Sequence, residues 1–272
     1  YMDIKKVYID TRFKTSDSNS DSDFYVELPR AINIPDKCVC YIDDVVIPVS
    51  WTMIDERNNM LYLGIRIDGA LYRETVTFDS GNYNGVSFAP VFESKVNAAL
   101  LSHDLSVTVT YDFMNNKMRT VLRDDRSMVF GDANVGILSN SELVFAGSNP
   151  NVLSSLNGVL MISGSSVTLL PGIAFDTYLD LHTTRNLYLT SSSLGSYNTI
   201  SNFGSDVIIK KIPVRYNYNE MLFDSSETGY DYLDVSKRML RRIDFRLQDS
   251  FGNIINLNKN HWSFSLIFQL QD

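Results

Sequence analysis

Cysteine is nearly absent. The 272 residues hold two, Cys38 and Cys40, with Val39 between them. On a strand, residues two apart point to one side, but their Cβ atoms diverge too far for an easy disulfide. Both are expected as buried free thiols, in keeping with a reducing compartment. Two cysteines do not make a structural zinc site. His103, His182 and His261 lie far apart without a HExxH-like spacing, so no metal is assigned. No apolar run approaches the ~18–20 residues of a membrane span. The first six residues, Tyr1-Met2-Asp3-Ile4-Lys5-Lys6, show no signal-peptide core. Basic residues are the minority, 24 against 32 acidic, for a net charge of −8. That argues against a general nucleic-acid binder, whose footprint is a basic face.

Catalytic signatures are missing too. There is no Gly-x-Ser-x-Gly elbow, no Gly-x-Gly-x-x-Gly and no Gly-Lys-Ser/Thr. Asp43 and Asp44 are adjacent on an expected strand, where neighbours face opposite sides, so they are not expected to share one proton. The Asp-rich loop 15–23 has the composition of a calcium loop. It lacks the Gly and closing Glu that an EF-hand loop requires, and reads as a solvated loop. The basic pairs Lys210-Lys211, Lys237-Arg238 and Arg241-Arg242 have no interleaved aromatics and read as solvated faces rather than phosphate sites. The expectation is a non-enzyme with no catalytic residues and no cofactor.

What the chain has in plenty is strand patterning, with fifteen Tyr and fifteen Phe. In 261–270, Trp262, Phe264, Leu266, Phe268 and Leu270 fall on one face. Ser263, Ser265 and Gln269 fall on the other, with Ile267 the exception. Residues 242–248 alternate likewise, and 254–257 read as a third strand after a turn at 250–253. A sheet with one wet face is antiparallel and needs a second layer over its dry face. Further strands are expected at 3–10, at 24–28 (ended by Pro29) and at 37–47 (closed by Pro48). Hairpins are expected at 60–78, around Asp68-Gly69, and at 105–122. More strands follow at 174–182, 186–190 and 206–214. One helix is expected, with Ser87 as N-cap, Pro90 in the first turn, and a stripe of Phe88, Val91, Phe92, Val96, Ala99 and Leu100.

These elements predict an all-β chain, a jelly-roll two-sheet antiparallel sandwich with one short helix and inserted loops, over a single elaborated domain, 1–272. Residues 134–175 hold one charged residue, Glu142, where the chain average would give about nine. Interface cores are depleted in charge, so 133–175 is read as an insertion or interface segment. Leu143, Phe145, Val152, Leu153 and Leu156 are the candidate subunit contacts.

The order of segments resembles the minor capsid, or penton, proteins of Polinton-like elements, adintoviruses and virophages. Carrying residues are Tyr8-Ile9-Asp10-Thr11-Arg12, the Ser/Asp loop, and Phe24-Tyr25-Val26-Glu27-Leu28. Then come Val45-Val46-Ile47-Pro48 with Ser50-Trp51, Asn58-Asn59-Met60-Leu61-Tyr62, and Gly81-Asn82-Tyr83-Asn84 before the helix. Asn186-Leu187-Tyr188-Leu189, Ile212-Pro213-Val214, Leu247-Gln248-Asp249-Ser250-Phe251-Gly252 and Trp262-Ser263-Phe264 complete the set. The resemblance implies a homopentamer at an icosahedral vertex beside a double-jelly-roll major capsid protein. It implies a virion protein assembled inside the host cell, with no membrane span, no sequence-specific nucleic acid and no cofactor. The alternative is a receptor- or carbohydrate-binding jelly roll, such as a fibre head or spike. That reading would use exposed Trp51 and Tyr197 as a stacking platform, with Trp262 in the core.

Overall fold

A computed structural model describes residues 4–67, 70–124, 141–145, 160, 167–195, 199, 207–225 and 231–271. The first strands are β1 (Ile4–Asp10), β2 (Asp23–Asn33) and β3 (Cys38–Pro48). Next come β4 (Met60–Ile67), β5 (Ala70–Thr77), helix α1 (Gly85–Leu100), β6 (Leu105–Asp112), β7 (Lys117–Asp124), β8 (Ser141–Phe145), β9 (Val167–Leu169) and β10 (Ala174–Tyr178). The chain closes with β11 (Asn186–Thr190), β12 (Ile208–Pro213), β13 (Met221–Asp224), β14 (Leu233–Asp234), β15 (Met239–Gln248) and β16 (Ser263–Leu270). Contacts divide these into two compact units. One joins Tyr1–Trp51 to Thr184–Asp272, and the other is Thr52–Thr183. Each has its own core. Of the stretch 133–175, residues 141–145, 160 and 167–175 are described, and they fall in the second unit.

The first unit is a jelly roll. One antiparallel sheet runs β1-β16-β3-β13, with β14 also on β3. The other runs β12-β11-β15-β2. Counted along this unit alone, the eight main strands fall in the orders 1-8-3-6 and 5-4-7-2, the interleaving of two Greek keys. The sandwich interior holds Phe24, Phe245, Phe264 and Trp262, with Phe245 edge-on to Phe264 at 4.9 Å between centroids. Cys38 and Cys40 are buried free thiols, as expected.

Several expectations are corrected here. β15 and β16 do not share a sheet but lie in opposite layers, so the C-terminal segment supplies part of its own cover. Residues 254–257 form no strand, only a bridge from Ile254 to Gln248. The intervening turn is as read, with Gly252 at φ 82° and Asp249 accepting from the Phe251 and Asn253 amides. The outward face of β16 is not wet at its centre, where Ser265 and Ile267 are both buried.

Pro29 does not end β2. That strand is a sheet edge, where a missing N–H costs no ladder bond, and its register jumps at this point: Leu240 pairs Ile32 but Arg242 pairs Glu27. On β3, Asp43 and Asp44 together face the single residue Ser265, a bulge. Ile42 and Val45 flank it and are both buried, whereas strict alternation would turn one of them outward. Both carboxylates stay at the surface, and Asp43 pairs with Lys6 at 2.5 Å.

The second unit holds the sheets β5-β4-β8-β9 and β10-β7-β6, with α1 contributing Phe88, Ala89, Phe92, Val96 and Leu100 to its core. The N-cap of α1 is Asn84 rather than Ser87, which occupies N3 and completes a capping box. Pro90 therefore lies in the second turn; the N–H it lacks would have met the carbonyl of Val86, an exposed residue. Along the edge of β6, Asn97 bonds both backbone groups of Val107, and the Glu93 carboxylate accepts from the Val109 amide at 2.6 Å. Among the described residues no helix is long and apolar enough to cross a membrane.

Candidate assembly surface

The two sheets of the jelly roll present different surfaces. The β12-β11-β15-β2 sheet carries paired charge. Arg246 meets Asp23 at 3.2 Å, Arg241 meets Glu27 at 3.0 Å, and Arg242 pairs with Asp17 while lying 4.2 Å over the Tyr25 ring. Arg238 donates to the Ser193 and Gly195 carbonyls, and Lys237 pairs with Asp36. Lys237, Arg238, Arg241 and Arg242, singled out in the sequence, are thus matched locally rather than pooled into an anion site. The solvated face expected for Lys210 is wrong. Its side chain is 1% exposed and crosses the sandwich, 3.2 Å from Asp224 on β13 and 3.3 Å from the Ile42 carbonyl on β3. No signal in the sequence separates Lys210 from Lys211; only the partner at Asp224, on another strand, does.

Asp244 is buried on β15 and organises the turn after β11. It accepts from the amides and hydroxyls of Ser192 and Ser193. Burial pushes its carboxyl up, but these four hydrogen bonds outweigh it and hold the group below the usual range. The Ser/Asp loop is not merely solvated. Asp21 pairs with Lys14 at 2.7 Å and His261 at 3.2 Å, and its carbonyl accepts from the Trp262 indole. No group of three or more metal-type ligands occurs among the described residues.

The β1-β16-β3-β13 sheet is the more apolar. Tyr8 and Phe13 stand exposed at its β1 edge, and Met221 and Phe223 at its β13 edge. Tyr41 packs at a tilt against Tyr232, 4.9 Å between ring centroids. The strand β13 was not legible in sequence, since four residues carry one alternation only.

Of the stacking platform, Trp51 is 7% exposed and belongs to the core, and Tyr197 lies outside the described residues. An open cleft of about 310 Å³ is lined by polar residues with Ile254, Ile255 and Leu257, and no aromatic. Among the expected subunit contacts, Leu143 and Phe145 fall on β8 in register with Ile65 and Leu63. Val152, Leu153 and Leu156 lie outside the described residues.

No protein-family model and no curated protein matches the sequence. Among solved structures, the crystal structure of the mavirus penton protein is similar at 11% identity and a TM-score of 0.53, covering 97% of this chain and 99% of that one. At that identity the likeness speaks to fold.

Proposed function

We propose that the chain is a penton-type minor capsid protein, a structural component of a virion. In this reading it forms a homopentamer at the icosahedral vertex, beside a major capsid protein of double-jelly-roll type, and catalyses no reaction. The observation that carries it is the extent of the match. A jelly roll alone serves many functions, but the likeness to the mavirus penton protein spans nearly both chains, the inserted unit included. Apolar side chains exposed at both edges of one sheet also fit assembly better than glycan capture. The nearly uncharged stretch 134–175 is a further candidate contact.

The solution mass by light scattering tests the reading. Five times 30.9 kDa supports the vertex role. A trimer counts against it and favours a fibre head or spike, and a monomer that binds glycans favours a binding module.

A further inference from the structure

Among the described residues the β1-β16-β3-β13 sheet ends at β1 on one side and at β13 on the other. Among the described residues β1 pairs only with β16, and β13 only with β3. Neither is blunted in the way that Pro29 and the register jump blunt β2, or that Asn97 and Glu93 cover β6. Large apolar side chains stand in water at both: Tyr8 on β1 and Phe13 in the 3-10 turn after it are 76% exposed, Met221 and Phe223 on β13 are 54%.

These groups stand at neighbouring heights. The register runs in one row from Asp10 through Ser263 and Val46 to Phe223, and in the next from Ile9 through Phe264 and Val45 to Asp224. Three antiparallel steps separate the edges, so β13 runs antiparallel to β1. A rotation about an axis parallel to the strands preserves height. It brings β1 of one copy beside β13 of the next, in antiparallel sense, with Phe223 level with Asp10 and so between Tyr8 on one side and Phe13, in the turn after β1, on the other. Repeated, that head-to-tail contact closes a ring.

The charges agree. Residues 4–14 contain Lys5, Lys6, Arg12 and Lys14 against Asp10 alone. Residues 220–225 and 231–234 contain Glu220, Asp224, Asp231 and Asp234 and no basic residue. Internal pairs from Lys6 to Asp43, Arg12 to Asp10, Lys14 to Asp21 and Lys210 to Asp224 reduce each side without reversing its sign. Opposite signs on the two edges favour head-to-tail contact between copies and disfavour edge-to-like-edge pairing.

We infer that copies of this chain join through β1 of one and β13 of the next, with Tyr8 and Phe13 packing on Phe223 and Met221 and Arg12 facing Glu220. The inference rests on the capsid reading for the existence of a ring and names the surface that closes it. The test is the full chain carrying Tyr8→Cys and Phe223→Cys, treated with a short bismaleimide and run on a denaturing gel beside each single variant. Light scattering and melting temperature are taken on the untreated samples. A covalent ladder up to the ring size in the double variant alone, with unchanged melting, is expected. An oligomer of the predicted mass that gives no ladder overturns the edge contact and leaves the capsid reading standing. A monomer overturns the edge contact and counts against the capsid reading as well. Independently, Glu220→Arg is expected to weaken association on the order of tenfold, and Arg12→Glu in the same chain to restore it. Loss without restoration overturns the pairing.

Discussion

Replacing Asp224 by Ala leaves the Lys210 ammonium inside the sandwich without the carboxylate 3.2 Å away. The lysine side chain is 1% exposed, against 15% for Asp224. Breaking a buried pair in this way costs about 3–5 kcal/mol, because desolvation of the remaining charge is no longer offset. For a domain of this size that is a fall of about 6–20 °C in melting temperature. Both tryptophans of the chain, Trp51 and Trp262, lie in the jelly-roll core, so urea unfolding followed by tryptophan fluorescence reports that unit and not the inserted one. The double variant Lys210→Met/Asp224→Leu removes the charge and the need for a partner together. It is expected to regain most of the loss or to exceed the parent. A cost below about 1 kcal/mol for Asp224→Ala would refute the reasoning, since it would show the ammonium reaching solvent. So would a double variant as unstable as the single one.

Asn84→Ala removes one half of the α1 capping box and is expected to cost about 1 kcal/mol, read from the urea midpoint of far-UV dichroism, with tryptophan fluorescence unmoved. Burial pushes the Cys40 thiol up to about 12, and burial likewise raises Cys38. Neither is expected to react with a disulfide reagent at pH 8 until the chain is unfolded, and rapid labelling of the native protein would contradict the assigned burial. Asp244 is held below the usual carboxyl range, so it binds its proton more weakly folded than unfolded. Its contribution is present above the unfolded value and is lost as pH falls through that value towards the folded one. Stability measured across this acid window is expected to fall less steeply in Asp244→Asn than in the parent, and identical slopes would count against the role.

The structure locates the limits of sequence reasoning in particular residues. The helix stripe from Phe88 to Leu100 was legible because its 3.6-residue period is local, yet the cap was misplaced by three residues since Asn84 and Ser87 both have capping chemistry. The turn at Gly252 was legible from its residue types. The ion-paired state of the Asp-rich loop was not, because Lys14, Arg242, Arg246 and His261 reach it from three different segments. Of the candidate surface, Tyr8 and Phe13 were visible only as residues. β13 is too short to show a period, and its place on β3 depends on pairing across more than 170 residues.

By itself the sequence determined the all-β class, the inward phase of Phe245, Leu247, Trp262, Phe264 and Phe268, the two hairpins of the inserted unit and the buried state of Cys38 and Cys40. These follow from alternation, turn chemistry and side-chain transfer, each set within a few residues of the chain. Only the tertiary structure decided that β15 and β16 belong to opposite sheets, that residues 52–183 form a second core, that Pro29 sits inside an edge strand and that Lys210 is buried. Sheet membership depends on which distant backbone donors meet which acceptors, and a lysine is driven outward or held inside by whether an acid on another strand waits for it.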